Sequence, residues 1–291
     1  MPLKLNRLVQ KLGRLPFRGK DNRIRLAIVG NSHLAALKLA ERDGLIEAED
    51  FDICYYGGAG ALFANMVFQD GLLDMKSKKN ALLVTDGRYA ALPVDAFDAF
   101  MFHGASYSYS ALLRRYGGAG VSPNTVSSAF LLETARQSLY LPFIANNVAF
   151  AVREDVDVPV VISTNPLKAQ RSRQFANTSV ADTDIRKLDA ALHTAFKEKG
   201  IHYIAQPADS IAGNVYTDDR FSIGSVRLKG DLTTQHDEED FGHMNAEYGA
   251  LVLRDALAKI RELVAQQHVK TDRRAEARKK RIEARERRMQ E

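Results

Sequence analysis

Residues 24–40, IRLAIVGNSHLAALKLA, decide the fold with an apolar run at 24–29, a polar Gly-Asn-Ser-His turn and an amphipathic segment from Leu34 onward. Short apolar runs rich in β-branched residues predict buried strands, and apolar residues at intervals of three and four predict helices. The stretch therefore predicts a strand, a tight turn and a helix. This is the unit from which parallel α/β sheets are built.

The rest of the chain repeats this alternation. Further strands are predicted at 51–56, 96–102, 158–163 and 201–205, and helices at 34–40, 125–139, 182–199 and 246–264. Strands that alternate with helices favour an α/β domain of three layers, in which helices cover both faces of a parallel five-stranded sheet. Ligands of such sheets bind at the carboxyl ends of the strands, so the polar residues that follow each strand are the candidates for chemistry.

The composition is that of a globular protein. Of 291 residues, 45% are hydrophobic and 26% are charged, which excludes collagen-like, low-complexity and wholly disordered chains. The single cysteine, Cys54, excludes an internal disulfide framework and any zinc site built from several thiolates. Because Cys54 lies between Ile53 and Tyr55 in an apolar run, we expect it to be buried in the core.

The formal net charge of +5 is unevenly distributed. Residues 1–25 carry a net charge of +7 and residues 270–291 carry +5, whereas residues 26–269 carry −7. The basic character belongs to the two ends, so the main domain is not predicted to bind nucleic acid. We therefore divide the chain into a basic amphipathic helix at 1–23, a main domain at 24–267 and a charged, helical or disordered tail at 268–291.

The first segment combines an apolar face and a basic face at helical spacing. Its apolar residues are Leu5, Leu8, Val9, Leu12 and Leu15, and its basic residues are Lys4, Arg7, Lys11, Arg14 and Arg18. Such a helix can lie on an anionic membrane surface, dock on a partner or pack on its own domain. The sequence has no apolar stretch long enough to span a bilayer and no secretion signal, so we expect a cytoplasmic protein, with peripheral association with an anionic membrane as an open alternative.

Ser32 occupies the turn between the first predicted strand and helix. A serine at this place exposes its hydroxyl at the edge of the sheet, and its own N–H points where a helix N-terminus favours negative charge. This position suits a nucleophile. The alternative is that Ser32 only caps the helix.

Asp240 and His243 lie three residues apart, just before the last predicted helix. A nucleophilic serine needs a base to take its proton and a carboxylate to orient that base, and one tight turn can supply both. A metal site is the alternative, because metal-ligating side chains cluster here. They are His236, Asp237, Glu238, Glu239, Asp240 and His243. Their spacing matches no metal-binding motif, so neither a metal nor another cofactor is predicted.

Three short motifs, taken in order, resemble the SGNH or GDSL-like hydrolases and their O-acyltransferase relatives. They are GNSH at 30–33, YGGAG at 56–60 and DFGH at 240–243, with Asn31 where the family more often has Asp. The resemblance runs through residues 24–264 and implies flavodoxin-like winding of the sheet. It also implies a covalent acyl-serine intermediate and no cofactor.

The resemblance assigns a role to each candidate residue. Ser32 would be the nucleophile, His243 the general base and then acid, and Asp240 the residue that orients His243. The N–H groups of Ser32 and Gly60 would stabilise the oxyanion. The family usually supplies a third donor from Gly-x-Asn after the third strand, but here residues 103–107 read HGASY, so Ser106 stands where the Asn would be. Loss of one oxyanion donor typically costs about 10²–10³ in rate.

The resemblance implies a serine esterase or O-acyl transferase that acts on a small-molecule or carbohydrate acyl ester. The alternative is a non-catalytic binding module of the same fold, held at an anionic surface or partner by its basic ends. Specificity is expected in the segment 107–153, which is longer than a simple connection needs and contains the serine- and tyrosine-rich stretch YSYS at 107–110. A packed helical insertion is the other interpretation of this segment.

Overall fold

The computed structural model describes residues 22–140, 144–229 and 232–290. In chain order, its strands and helices are β1 (Ile24–Gly30), α1 (Leu34–Arg42), β2 (Phe51–Gly57), α2 (Ala61–Ala64), β3 (Val67–Gln69), β4 (Leu72–Asp74), α3 (Lys78–Val84), β5 (Leu92–Pro93), β6 (Ala99–Ser108), α4 (Tyr109–Gly118), α5 (Ser128–Leu139), α6 (Ile144–Asp155), β7 (Val160–Asn165), α7 (Ile185–Glu198), β8 (His202–Ile204), β9 (Ile211–Ala212), β10 (Tyr216–Thr217) and α8 (Ala246–Gln290).

The central sheet has five parallel strands in the order β2-β1-β6-β7-β8. Counted among these five strands alone, the order is 2-1-3-4-5, that of flavodoxin-like sheets. Both faces of the sheet are covered, so its strands are apolar on both sides. Leu26 and Ile28 of β1 pack with α1 and α8, whereas Ala27 and Val29 pack in the core that holds α4 to α7. The predicted three-layer α/β/α fold is confirmed.

Two small antiparallel sheets were not expected from the sequence. One consists of β3, β4 and β5, and the other of β9 and β10. Their strands have only two or three residues, too few to show a clear alternation of apolar and polar side chains. The segment 107–153 contains three helices, α4, α5 and α6, so the interpretation as a helical insertion fits its backbone.

The third central strand differs from its predicted bounds of 96–102. It begins at Ala99 and runs to Ser108. The Asp98 carboxylate accepts a hydrogen bond from the backbone N–H of Arg25 (3.0 Å) and two from the Arg25 guanidinium (2.7 and 3.0 Å). This contact with β1 fixes the point at which β6 joins the sheet, a constraint between distant residues that the local pattern does not contain.

The other predictions have mixed outcomes. Cys54 is fully buried, as expected, and burial raises the pKa of its thiol to about 11. The last helix was predicted to end at residue 264 but continues to Gln290. The basic amphipathic helix at 1–23 lies, except for its last two residues, outside the described residues. Among the residues that the structure describes, no helix is both long and apolar enough to cross a membrane.

Helices α1 and α8 approach each other closely at Gly249. A Cβ atom added at Gly249 would lie 2.1 Å from the backbone oxygen of Ala36, well inside van der Waals contact. Because a backbone atom cannot rotate away as a side chain can, only glycine permits this separation of the two helix axes. The same helices help to position Ser32 and His243, because Ser32 lies two residues before α1 and His243 lies three residues before α8.

We expect Gly249→Ala to lower the free energy of unfolding by up to about 2 kcal/mol, because an overpacking cost of about 1–3 kcal/mol is only partly offset by a gain of about 1 kcal/mol in helix propensity. Urea unfolding followed by circular dichroism measures the change. Gly118→Ala, at the end of α4 with open space around the added Cβ, is the matched control and should be neutral or stabilising. Equal effects of the two substitutions would contradict the close approach.

Candidate active site

The ends of three central strands form the base of the site. Gly30 of β1 pairs in register with Gly57 of β2 and His103 of β6. A Cβ atom at Gly30 would lie 2.3 Å from the backbone oxygen of His103, so glycine permits the close approach of these strand ends. The order of the sheet reverses between β1 and β6, and this is the place where ligands of open α/β sheets bind.

Ser32 follows β1 at this edge. Its Oγ lies 2.8 Å from Nε2 of His243, within hydrogen-bond distance. The residue that directly precedes α1 is His33, and its side chain makes no capping hydrogen bond. The hydroxyl of Ser32 is therefore directed at a histidine that is 211 positions away in sequence, which does not fit a role in helix capping alone.

Asp240 accepts hydrogen bonds on both of its carboxylate oxygens. Oδ1 accepts from the backbone N–H groups of Gly242 (2.9 Å) and His243 (3.0 Å), and Oδ2 lies 2.8 Å from His243 Nδ1. Burial alone would raise the pKa of Asp240, but these hydrogen bonds lower it to about 2. An ionised carboxylate only accepts, so His243 carries its proton on Nδ1 and turns the lone pair of Nε2 toward Ser32.

A second histidine shares the carboxylate. Nδ1 of His236 lies 2.9 Å from Asp240 Oδ2, and the His236 ring stacks on the His243 ring at 3.9 Å between centroids and 10° between planes. Burial and the neighbouring His243 lower the pKa of His236. Since His236 is then neutral near pH 7, it adds a hydrogen bond to Asp240 without adding a charge beside His243.

The opposite face of the His243 ring contacts His33, whose ring is stacked at 4.8 Å and 24°. Burial lowers the pKa of His33 well below its usual value, with His243 and His103 adding to the effect. His103 lies beneath, with Nδ1 2.8 Å from Ser163 Oγ, and burial lowers its pKa to about 3. The histidine that contacts Ser32 is thus held between two neutral rings.

The same ring geometry argues against the metal alternative. His236, Asp240 and His243 bring one ligand atom each within 4.8 Å of one another. A histidine binds a metal in the plane of its ring, about 2.0–2.1 Å from the nitrogen. An ion shared by the two Nδ1 atoms would have to lie between two nearly parallel rings whose centroids are 3.9 Å apart, and therefore out of both ring planes. The described arrangement fits a hydrogen-bonded carboxylate better than a bound metal.

The loop after β2 lies against the turn after β1. The Gly58 N–H donates to the backbone oxygen of Gly30 (3.2 Å), and Gly60 follows two residues later with φ of +52°, a conformation that favours glycine. The structure therefore places the loop that contains Gly60 beside the Ser32 turn. The side chain of Ser106 lies outside the part that the structure describes, so its role as an oxyanion donor stays a prediction.

Asn165, at the end of β7, was missed by the sequence interpretation. Its Oδ1 accepts from Asn31 Nδ2 (3.2 Å), and Asn31 Oδ1 accepts from the His33 N–H (3.2 Å). Gly104 has φ of +68°, and a Cβ there would lie 2.5 Å from Asn165 Oδ1. These contacts fix the conformation of the turn that presents Ser32. The signal was a polar residue at the carboxyl end of the fourth central strand, where ligands are expected.

A pocket of about 590 Å³ opens beside His243. Its residues come from the Ser32 turn, the junction of β6 and α4, the loop after β7 and the turn that carries Asp240. They are His33, Ser108, Ser110, Arg114, Asn165, Pro166, Lys168, Asp237, Glu239, Asp240, Phe241, Gly242 and His243. The segment predicted to set specificity contributes Ser108, Ser110 and Arg114, whereas Tyr109 is buried in the core.

The comparisons give this chain no family. No protein-family model, curated protein or solved structure matches it. The arrangement of Ser32, His243 and Asp240 is therefore interpreted from its own geometry.

Acid should destabilise the protein through the buried histidines. In the unfolded chain, His33 and His103 bind protons below about pH 6.5, whereas their lowered pKa values keep them neutral in the folded protein. The contribution of these histidines to the free energy of unfolding should be fully present above about pH 6.5. It should decrease as the pH falls, by up to about 1.4 kcal/mol per pH unit for each histidine. Urea unfolding at pH 7.0, 5.5 and 4.5 measures this slope.

The variant His103→Asn removes one of these imidazoles and should reduce the slope between pH 5.5 and 4.5 by up to about 1.4 kcal/mol per pH unit. His193→Asn, at an exposed position of α7, is the control for loss of a surface imidazole. The assignment is wrong if H103N and H193N give the same slope as each other.

Proposed function

We propose that this protein is a serine esterase or O-acyl transferase that forms an acyl intermediate on Ser32. The observation that carries the proposal is the unbroken hydrogen-bonded series from Ser32 Oγ to His243 (2.8 Å) and from His243 to Asp240 (2.8 Å). Nucleophile, base and orienting carboxylate in this geometry are the parts that acyl transfer requires. The motifs at 30–33, 56–60 and 240–243, which resemble those of SGNH hydrolases, support the same assignment.

In the first half-reaction, Ser32 Oγ attacks the carbonyl carbon of the ester while His243 Nε2 takes the hydroxyl proton. The bond from the carbonyl carbon to the alcohol oxygen then breaks, and His243 returns the proton to the departing alcohol. In the second half-reaction, water or an acceptor alcohol gives a proton to His243 and attacks the acyl carbon. The bond from the acyl carbon to Ser32 Oγ then breaks, and His243 returns the proton to Oγ. Asp240 stays ionised and stabilises the imidazolium.

The negative charge that develops on the carbonyl oxygen needs donors. We assign this role to the N–H groups of Ser32 and Gly60, with the hydroxyl of Ser106 as the third donor. Support comes from the contact between the loop after β2 and Gly30, the last residue of β1, which brings the two loops that follow these strands to the same edge of the sheet. Donors that are fixed before the reaction stabilise an oxyanion more than mobile donors do.

The alternative, a non-catalytic binding module, has less support. A binding module does not require the hydroxyl of Ser32 to face Nε2 of His243. The separation of these two atoms, 2.8 Å, falls within the range for a general base. Whether water or another alcohol accepts the acyl group depends on the second substrate. Three further points stay predictions: the substrate is a small-molecule or carbohydrate acyl ester, the protein is cytoplasmic, and residues 1–23 can contact a membrane.

A fluorophosphonate probe tests the nucleophile. We expect the wild type to be labelled at Ser32 and Ser32→Ala not to be labelled, as read by mass spectrometry of peptides. Ser127→Ala is the matched control, because Ser127 also precedes a helix but caps it, accepting from the Phe130 N–H at 3.2 Å. Equal labelling of wild type and S32A would overturn the assignment.

Substitution of the orienting carboxylate should slow turnover of 4-nitrophenyl acetate. Asp240→Asn permits the wrong histidine tautomer, and loss of this carboxylate in serine enzymes lowers kcat about 10⁴-fold. Glu238→Gln, an exposed amide substitution in the same segment, should leave kcat within about twofold of the wild type, well inside that loss. If D240N retained full activity, Asp240 would not act on His243 as proposed.

A further inference from the structure

The N-terminus of α4 opens into the pocket beside His243. This helix has ten residues, and the side chain of Ser108, which precedes it, makes no capping hydrogen bond. The first N–H groups of a helix have no partners within the helix and carry partial positive charge. Where no side chain satisfies them, they are available to an anion.

Ser110, in the first turn of α4, gives an independent sign of a missing ligand. It lines the pocket, is only 6% exposed, and its Oγ has no hydrogen-bond partner among the described residues. A buried hydroxyl without a partner costs stability, so native proteins rarely retain one without a reason. A ligand in the pocket that accepts a hydrogen bond would supply the partner.

Two cations also line the pocket. Arg114 is four residues after Ser110, so both side chains project from one face of α4. Lys168 comes from the loop after β7 and also lines the pocket. Both are exposed, and within the described parts of the chain neither forms an ion pair.

The turn that carries His243 brings carboxylates to the same pocket. They are Asp237 and Glu239, next to Asp240, and Asp237 pairs with Arg227 at 3.2 Å. Arg114 therefore lies on α4, the carboxylates lie on the turn, and the loop with Lys168 is tied to that turn by the hydrogen bond from the Ala169 N–H to the Phe241 oxygen (2.9 Å). A substrate with one anionic group would enter with that group toward α4, because the carboxylates of the turn repel it.

We propose that the N-terminus of α4, with Ser110, Arg114 and Lys168, is an anion-binding subsite, and that the substrates are acyl esters bearing a carboxylate or a phosphate group. The subsite receives this group through the helix N–H donors, the hydroxyl of Ser110 and the two cations. The assignment to a substrate rests on the proposed function, whereas anion binding itself does not.

Binding of inorganic phosphate tests the subsite without turnover. Isothermal titration calorimetry of the full chain is expected to show phosphate affinity that falls about tenfold or more in Arg114→Gln. Arg115→Gln removes the next arginine of the same helix, which does not line the pocket, and is the control for loss of one positive charge. Phosphate that binds only at the basic ends would be affected equally by both substitutions. The subsite is refuted if R114Q and R115Q bind phosphate equally, or if the wild type binds none at millimolar concentration.

A matched pair of esters tests the substrate class. Mono-4-nitrophenyl adipate carries a carboxylate, and 4-nitrophenyl hexanoate has the same acyl length without the charge. We expect R114Q to lower kcat/KM for the adipate about tenfold or more and for the hexanoate less than twofold, with R115Q changing neither. Competition by inorganic phosphate, but not by acetate, would identify phosphate as the preferred group, and the reverse would identify carboxylate.

The two proposals fail in different ways. If the hexanoate is turned over and R114Q and R115Q have the same kcat/KM for the adipate, the substrate class is wrong and the esterase assignment stands. If neither ester is turned over and Ser32 is not labelled, the esterase assignment fails, and phosphate binding still decides the subsite.

The substitution Ser110→Ala distinguishes a ligand-binding serine from a structural one by its effects on the Tm and on phosphate binding. Removal of an unpartnered buried hydroxyl should raise the Tm, while the loss of a ligand donor should weaken phosphate binding about fivefold or more. A structural serine would lower the Tm and leave phosphate binding unchanged. That result would contradict the role of Ser110.

Discussion

The hydrogen bond between Ser32 and His243 depends on the packing of the last helix against the first. The two residues are 211 positions apart, and each lies in a turn that precedes a helix. Ser32 precedes α1 and His243 precedes α8, so the distance between these helices sets the distance between the two side chains. Gly249 allows the backbone of α8 to approach that of α1, and the many apolar side chains that the two helices share hold them there.

The turn at 240–243 then positions His243, the proposed base, with little freedom. Asp240 binds two backbone N–H groups of its own turn, and the backbone oxygen of Phe241 accepts from the Ala169 N–H at 2.9 Å, which ties the turn to the loop after β7. The rings of His33 and His236 contact both faces of His243. Rotation of that ring would disrupt the stacking as well as the hydrogen bonds. A site held in this way is organised before substrate binds, and electrostatic catalysis depends on such preorganisation.

The sequence predicts well those features whose signal is local. The first strand, its turn and the three-residue spacing of Asp240 and His243 are local, and they lead to the fold and to the three candidate residues. The positions of His33, His103 and His236 around His243 are set by sheet register and helix packing, so no local pattern indicates them. The third strand was predicted to begin at residue 96 but begins at Ala99. No local pattern indicates this either, because the pairing of Asp98 with Arg25 is a contact between distant parts of the chain. Asn165 was overlooked although its place at a strand end was a usable signal.

In the proposed mechanism, Ser32 carries the acyl group during turnover. The most direct measurement mixes the protein with excess 4-nitrophenyl acetate, quenches the mixture in acid within the first turnovers, and locates the added acetyl group by mass spectrometry of proteolytic peptides. We expect an acetyl group on the peptide that contains Ser32, at a level that falls when the ester is exhausted. Sustained release of 4-nitrophenol with no acyl group on Ser32, or with the group on another residue, would contradict it.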